Sequence, residues 1–220
     1  MLINNYLGDI LGVAVSFLLL MIYHGYLYMR LRRDPHYTVQ SVNRVVRRAW
    51  VESIMKDDSK PILAVQTLRN STMAATFLAS TSVLLIIGVL TLSGQSEKIA
   101  TTWHALNVYS TPHPGLWIIK ILSLVIDFFI AFFSFAMSLR LFNHVGYQIA
   151  VPASLRPASL TPSKVAVHLN RAGGYYSIGM RAYYLSVPLV FWLFGPHFMF
   201  FATITIIAVL YHVDRAPKDE

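Results

Sequence analysis

The sequence contains no cysteine and is poor in charged residues, especially acidic ones. Without cysteine there are no disulfides, thiolate metal sites, iron–sulfur clusters or cysteine nucleophiles. Only 13% of the 220 residues are charged, and only 10 are acidic. The sequence also lacks a phosphate-binding Gly-Lys-Ser/Thr loop, a Gly-x-Ser-x-Gly motif and a His-Glu-x-x-His motif. These absences leave hydrolase and nucleotide-binding functions without support, and we do not expect an enzyme.

What the chain has in abundance is apolar residues. They make up 55% of the sequence, and the mean hydropathy is +0.54. A soluble domain of this length is less apolar, so the composition predicts a polytopic membrane protein. The net charge of +8 is interpreted as a determinant of topology rather than of nucleic-acid binding, because basic residues flank membrane spans on the cytosolic side.

Apolar runs of sufficient length predict four spans and an all-α fold, an integral membrane four-helix bundle with two cytosolic basic or amphipathic helices. Residues 1–215 are expected to form one transmembrane domain, followed by a short polar tail at 216–220. The first span is treated as apolar throughout, and a kink is expected near Gly195 in the last one. The predicted spans are residues 6–28, 71–93, 116–142 and 182–212.

The basic residues concentrate in two stretches, which predicts the orientation. Residues 29–70 and 143–181 are expected to be cytosolic, and residues 94–115 are expected to form an external loop. Both termini then lie outside, in the cytoplasmic (inner) membrane of the cell. The polar and basic residues expected at the cytosolic face are Arg44, Arg47, Arg48, Gln66, Arg69, Asn70, Arg140, Asn143 and Arg181.

Residues 38–56 form an amphipathic pattern with Thr38 as the N-cap, and residues 162–172 form a shorter helical pattern after Thr161. In the first helix, Val39, Val42, Val46, Ala49 and Ile54 lie near one face. This helix either lies in the interface against anionic lipid headgroups or packs on the cytosolic ends of the protein's own spans. Gly173-Gly174 is expected to mark a bend.

Small residues four positions apart, Ser71, Ala75 and Ala79, form a stripe along the second span. Such a stripe lets another backbone approach closely. We interpret it as a helix-packing interface, in a homo-oligomer or with other subunits of a membrane complex. The alternative is that these are ordinary small residues of a tightly packed bundle.

Asp127 is the ionisable residue expected deepest in the third span, about 16 Å from the outer surface at 1.5 Å per residue. If the last span is a straight helix, His197 lies at an overlapping depth. An ionisable group in the membrane is costly unless it is paired or hydrated, and it is a functional candidate. The two residues are therefore candidates for a proton or ion path, and the alternative is a buried structural hydrogen bond or a contact to a partner subunit.

The histidines supply the other candidate sites. His104, His113 and His212 are expected at the outer face and are candidates for Cu²⁺ or Zn²⁺. His24 and His144 are expected near the cytosolic ends of two spans and are a candidate haem pair. The alternatives are solvated loop histidines for the first group and helix-end histidines bonded to carbonyls for the second, and no cofactor is predicted.

Four runs resemble a known family: RAWVESIM from Arg48, ILAVQTLRNSTMAATFLAS from Ile62, AFFSFAMSLRLFNHV from Ala131 and MRAYYLSVPLVFWLFGP from Met180. They are similar to the membrane proteins grouped as domain of unknown function 599. The resemblance implies a four-span membrane fold and no assigned catalytic residues. Asp127 is not part of the family pattern.

Three functions remain open. We expect a non-catalytic membrane protein that self-assembles or serves as an accessory subunit of a larger complex. The second possibility is a small ion, proton or solute channel or transporter that uses Asp127 and His197. The third is a haem- or metal-bearing redox subunit.

Overall fold

The computed structural model describes residues 2–57, 61–94 and 114–216, with side chains for 7–57, 62–94 and 115–216. This part of the chain is helical apart from short connections, which confirms the all-α prediction. A single 3₁₀ turn, Ala153–Leu155, lies between the fourth and fifth helices. The helices are α1 (Leu2–Arg33), α2 (Val39–Lys56), α3 (Pro61–Ser93), α4 (Pro114–Ile149), α5 (Pro162–Phe194) and α6 (Pro196–Val213).

Five of these helices, not four, are long and apolar enough to cross a membrane. The extra span arises at Gly195, where φ is 146° and ψ is 161°, a backbone conformation open essentially to glycine alone. Pro196 then begins α6, where its missing N–H group costs little. The predicted kink is thus a complete break, and the four-span count is corrected. The predicted bend at Gly173-Gly174 is absent, since both residues lie inside α5.

Helices α5 and α6 form an antiparallel hairpin, because Arg181 near the middle of α5 contacts Asp214 just after α6. The C-terminal segment then meets the α1–α2 connection. The Val39 amide donates to the Asp214 carbonyl at 3.1 Å, and the Ala216 amide donates to the Tyr37 carbonyl at 3.0 Å. The prediction that placed the C-terminus opposite residues 29–70 is therefore corrected. After α1, the four helices α3 to α6 run back and forth and return the chain to the end that carries residues 29–70.

We call the end of the bundle that carries α2 the basic end, and the end that carries Gly195 the hairpin end. Helices α3, α4 and α5 make the central packing, where Ala79, Ala131 and Ala182 surround Phe135. Helix α1 is peripheral and packs chiefly along α6. Its outward face is apolar and exposed, as expected for a helix that faces lipid.

Helix α2 packs on the protein's own helix ends at the basic end. Val51, Ile54 and Met55 are buried against α3, α4 and α5. The predicted apolar face is only partly correct, because Val46 is 55% exposed. The predicted N-cap is confirmed, since the Thr38 hydroxyl accepts a hydrogen bond from the Ser41 amide at 3.2 Å.

Candidate functional site

A cavity of about 630 Å³ lies at the basic end, between α2 and the ends of the spanning helices. This volume suits a small organic ligand or a lipid headgroup with part of its chains. We call it the basal cavity. Its lining includes both polar and apolar side chains. It is lined by Val39, Gln40, Asn43, Arg47, Asn70, Ser71, Ala74, Phe142, Gly173, Tyr176, Ser177, Met180, Arg181, Tyr184, Leu210, Val213 and Asp214.

Arg47 supplies a positive charge to this cavity without a carboxylate partner among the described residues. Its Nε donates to Asn170 Oδ1 at 2.9 Å, and the Asn170 amide donates to the Arg44 carbonyl at 3.2 Å. Partial burial, together with nearby Arg44, lowers the pKa of Arg47 from its ordinary value. An arginine remains protonated under such a shift. The guanidinium is therefore a half-buried cation available to an anion.

Gly173 makes room for this guanidinium on the surface of α5. A methyl group at Gly173 would lie 2.7 Å from Arg47 Cζ, closer than real side chains approach. Any larger residue would push Arg47 away from the helix. Gly173, the first glycine of the pair that was expected to mark a bend, thus provides the space in which the Arg47 guanidinium packs.

The second arginine of the cavity belongs to a hydrogen-bonded network. Arg181 contacts Asp214 at 3.2 Å and donates to His24 Nε2 at 3.0 Å. The Tyr23 hydroxyl donates to Asp214 Oδ2 at 2.8 Å. This network ties α1, α5 and the C-terminal segment together beside the cavity.

The predicted cytosolic polar face divides into two sets. The basal cavity brings Arg47, Asn70 and Arg181 together. Arg48 is exposed and pairs with Glu52 at 3.5 Å. The remaining predicted residues are exposed and do not line the cavity: Arg44, Gln66, Arg69, Arg140 and Asn143.

The small-residue stripe lies inside the chain rather than on a free surface. Ala75 and Ala79 are buried, and Ala79 packs with Ala131 and Phe135 of α4. Ser71 lines the basal cavity. The stripe therefore serves packing between helices of one chain.

Asp127 and His197 are not joined to each other. Asp127 Oδ2 is buried and has no hydrogen-bond partner among the described residues. His197 is the second residue of α6, so it lies at the hairpin end rather than at the middle of a straight helix. Its predicted depth is corrected because the chain reverses at Gly195.

The candidate haem pair is also separate. His24 Nδ1 donates to the Leu20 carbonyl at 2.8 Å, while its Nε2 faces Arg181. The His144 ring instead lies 5.4 Å from the His168 ring. His212 is exposed, and His104 and His113 lie outside the described residues. Residues 2–57, 61–94 and 114–216 contain no group of three metal-ligating side chains.

A buried cluster at the hairpin end went unpredicted. Lys120 Nζ lies 3.0 Å from Asp9 Oδ1, and Trp192 Nε1 donates to the same oxygen at 2.8 Å. The Lys120 ammonium also lies 5.4 Å from the centre of the Trp192 ring. The signal was present in the sequence: an aspartate and a lysine, opposite in charge, lie near the same end of two predicted spans.

The model of the family described as "Protein of unknown function, DUF599" matches residues 11–218. The chain belongs to this family. No curated protein and no solved structure matches it significantly. The DUF599 match includes every residue that lines the basal cavity, as well as Lys120 and Asp127, whereas Asp9 precedes it.

Proposed function

We propose that this DUF599 protein is a non-catalytic, five-span membrane protein that binds an anionic amphiphile, such as an acidic phospholipid, in the basal cavity. The observation that carries the proposal is Arg47, a half-buried cation at the cavity wall without a carboxylate partner among the described side chains. A phosphate or carboxylate headgroup would supply the missing negative charge.

The lining supports an amphiphile rather than a small inorganic anion. Asn43, Asn70 and Arg47 offer hydrogen-bond donors in the lining, while Phe142, Met180 and Leu210 contribute apolar surface. Of the charged residues in the lining, Arg47 and Arg181 are positive and Asp214 is negative. The excess positive charge favours an anionic headgroup over a zwitterionic one.

We place the basic end in the cytosol, because residues 29–70 carry the densest basic charge of the chain. The C-terminus is then cytosolic and the N-terminus external, in the cytoplasmic membrane. Anionic lipid of the inner leaflet would reach the cavity directly from the headgroup region.

The role of accessory subunit stays a prediction of the sequence. If this protein assembles with itself or with other subunits, the contact has to use a surface other than the stripe at Ala75 and Ala79, which is buried within the chain. Bound lipid and assembly are compatible, because a lipid headgroup held between helix ends leaves the lipid-facing sides of the helices free for a partner.

Lipid selectivity tests the proposal directly. The purified protein is placed in mixed micelles with phosphatidylglycerol or phosphatidylethanolamine, and bound lipid is counted by native mass spectrometry. We expect phosphatidylglycerol to be retained preferentially. Arg47→Gln should weaken its retention by about tenfold, which corresponds to about 1.4 kcal/mol.

Arg48→Gln is the matched control. It removes the same charge from the next position of α2, at a side chain that is exposed and paired with Glu52. Retention should then stay close to that of the wild type. Equal losses in the two variants would reduce the effect to general surface charge, and equal retention of the two lipids by the wild type would overturn the proposal.

A further inference from the structure

Tyr37, in the connection between α1 and α2, contacts two arginines that are far apart in the sequence. The guanidinium carbons of Arg30 and Arg215 each lie 5.6 Å from the centre of its ring. Arg215 also lies 4.2 Å from the centre of the Tyr211 ring, and Arg30 lies 5.7 Å from the centre of the Tyr26 ring. Distances of this size are typical of cation–π contacts. The tyrosine rings therefore hold two positive charges close together at the basic end.

A chain of hydrogen bonds orients the two guanidinium groups. Arg30 Nε donates to the Tyr26 hydroxyl at 3.2 Å. Arg215 Nε donates to the Tyr37 hydroxyl at 2.9 Å, and the two hydroxyls lie 3.3 Å from each other. An arginine has four more N–H groups on its two Nη atoms, and in both arginines these make no hydrogen bond within the described part of the chain. Each arginine thus keeps donors that can bind the oxygens of a phosphate group.

The carboxylates nearest to these arginines in the sequence are engaged elsewhere. Asp34, one helical turn after Arg30, accepts a hydrogen bond from the backbone amide two residues later, at 2.9 Å. Asp214, next to Arg215, pairs with Arg181 at 3.2 Å. Among the residues that the structure describes, neither Arg30 nor Arg215 forms an ion pair. Their two positive charges are therefore not neutralised by any described side chain.

The backbone holds Arg215 in place before any ligand binds. Its two neighbours, Asp214 and Ala216, make backbone hydrogen bonds to the α1–α2 connection at 3.1 and 3.0 Å. Arg215 itself pairs with Thr38 as an isolated antiparallel bridge. A site that is formed in advance loses less conformational entropy when it binds a ligand. The cluster therefore combines positive charge, free donors and a fixed geometry, as an anion-binding site requires.

The two arginines lie where the headgroups of a bilayer are expected. Arg30 comes just after the first predicted span, residues 6–28, and tyrosine is enriched at this interface. At steps of four residues, Ile22 and Leu18 continue the side of α1 that carries Arg30, and both are exposed. The acyl chains of a lipid whose headgroup contacts Arg30 would lie on this apolar surface.

We propose that Arg30 and Arg215, together named the arginine pair, bind the headgroup of a doubly anionic phospholipid in the leaflet at the basic end. Two cations without a described counter-ion favour two negative charges, as in cardiolipin, over the single charge of phosphatidylglycerol. Phosphate oxygens accept hydrogen bonds from the free Nη groups, and the acyl chains lie along α1. The site is separate from the basal cavity, whose lining contains neither arginine, so the two lipid-binding proposals can fail independently.

Competition between two lipids tests the proposal. The full-length protein is equilibrated in micelles that contain cardiolipin and phosphatidylglycerol at equal phosphate concentration, and bound lipids are counted by native mass spectrometry. We expect the wild type to retain cardiolipin preferentially. Arg30→Gln and Arg215→Gln should each weaken cardiolipin retention by about tenfold, the effect of losing one hydrogen bond between charged groups. Equal retention of the two lipids by the wild type would overturn the proposal.

Arg32→Gln is the matched control. Arg32 carries the same charge on the same helix and also contacts a tyrosine, with its guanidinium carbon 4.7 Å from the centre of the Tyr28 ring. It lies two residues after Arg30, which turns it to the other side of α1. Cardiolipin retention by Arg32→Gln should stay close to that of the wild type. Equal losses in Arg32→Gln and Arg30→Gln would reduce the effect to general surface charge and overturn the proposal.

Two further measurements identify the ligand and its place. Inorganic phosphate in large excess should not displace bound cardiolipin, because the acyl chains also contribute to binding. Displacement would assign the arginine pair to a free anion instead of a lipid. If Arg47→Gln lowered cardiolipin retention as strongly as Arg30→Gln, the lipid would lie in the basal cavity. Either result would overturn the proposal for the arginine pair.

Discussion

Two ion pairs of the described residues lie beside α1, one toward each end of the bundle, and they differ in their surroundings. At the hairpin end, Lys120 and Asp9 lie 3.0 Å apart with side chains 6% and 1% exposed. At the basic end, Arg181 and Asp214 lie 3.2 Å apart with side chains 27% and 19% exposed. The same chemistry is dry at one end and partly hydrated at the other.

Because of this difference in exposure, the two ion pairs contribute differently to stability. Removing one partner of a buried pair leaves a charge without compensation, and the cost is several kcal/mol. Water reaches the other pair and screens it, so its contribution is small. The hairpin end therefore fastens α1 to α4 and α5, whereas the basic end can rearrange around a ligand at small cost.

The first prediction tests whether the two ends of the bundle lie on opposite sides of the membrane, and its outcome is all or none. Reporter fusions after Arg33 and after Glu220 should give the same cytosolic signal, because the C-terminal segment bonds to Tyr37 and Val39. A fusion after Gly94 should give the opposite signal. If the Glu220 fusion instead gave the same signal as the Gly94 fusion, the C-terminal end of α6 would lie on the side of Gly94. The comparison between the two ends would then fail.

The second prediction sets the two pairs against each other with one kind of substitution. Asp9→Asn should lower the free energy of unfolding by about 3–5 kcal/mol, because Lys120 stays buried and charged. Asp214→Asn should cost about 1 kcal/mol. Reversible unfolding in mixed detergent micelles measures both.

The double variant Asp9→Asn/Lys120→Met is the control for this prediction. It removes both charges and should be more stable than Asp9→Asn alone, since no uncompensated charge remains. A double variant less stable than either single one would show that the pair is not coupled as described. Equal costs for Asp9→Asn and Asp214→Asn would remove the contrast between the ends.

The third and smallest effect concerns the turn that creates the hairpin end. Gly195→Ala forces a side chain into a backbone conformation with φ of 146° and should cost about 1–3 kcal/mol. Gly25→Ala, in α1 with open space around its Cα, should be neutral or slightly stabilising. Thermal melting in one detergent compares the two, and a destabilisation by Gly25→Ala as large as that by Gly195→Ala would argue against a strained turn.

Much of the candidate site was predictable because charge and helical spacing are local properties of the sequence. The two stretches predicted to be cytosolic, residues 29–70 and 143–181, contain Arg47, Asn70 and Arg181, which the basal cavity brings together. Sequence spacing could not show which of the nine residues predicted for the cytosolic polar face line the same cavity. Arg47 and Arg48 are neighbours on one helix, yet only Arg47 meets Gly173 and the cavity.

The deeper polar groups were only half predictable. Asp127 stood out as an isolated carboxyl in an apolar run, and one of its oxygens has no hydrogen-bond partner among the described residues. Its expected companion His197 was misplaced because its depth depended on a straight last span. Asp9 was overlooked because the first span was treated as apolar throughout. Its partner Lys120 lies three helices further along the chain, on α4.

The sequence by itself determined the membrane class, the basic end and the helix start at Thr38, because hydropathy, charge and capping act within a few residues. Only the tertiary structure decided the number of spans and the partners of the charges. Gly195-Pro196 permits either a kink or a full reversal. The reversal brings α6 against α1 and α5, with Tyr23 packed on Ile206 and Leu210, and such packing between distant segments is what local sequence patterns cannot express.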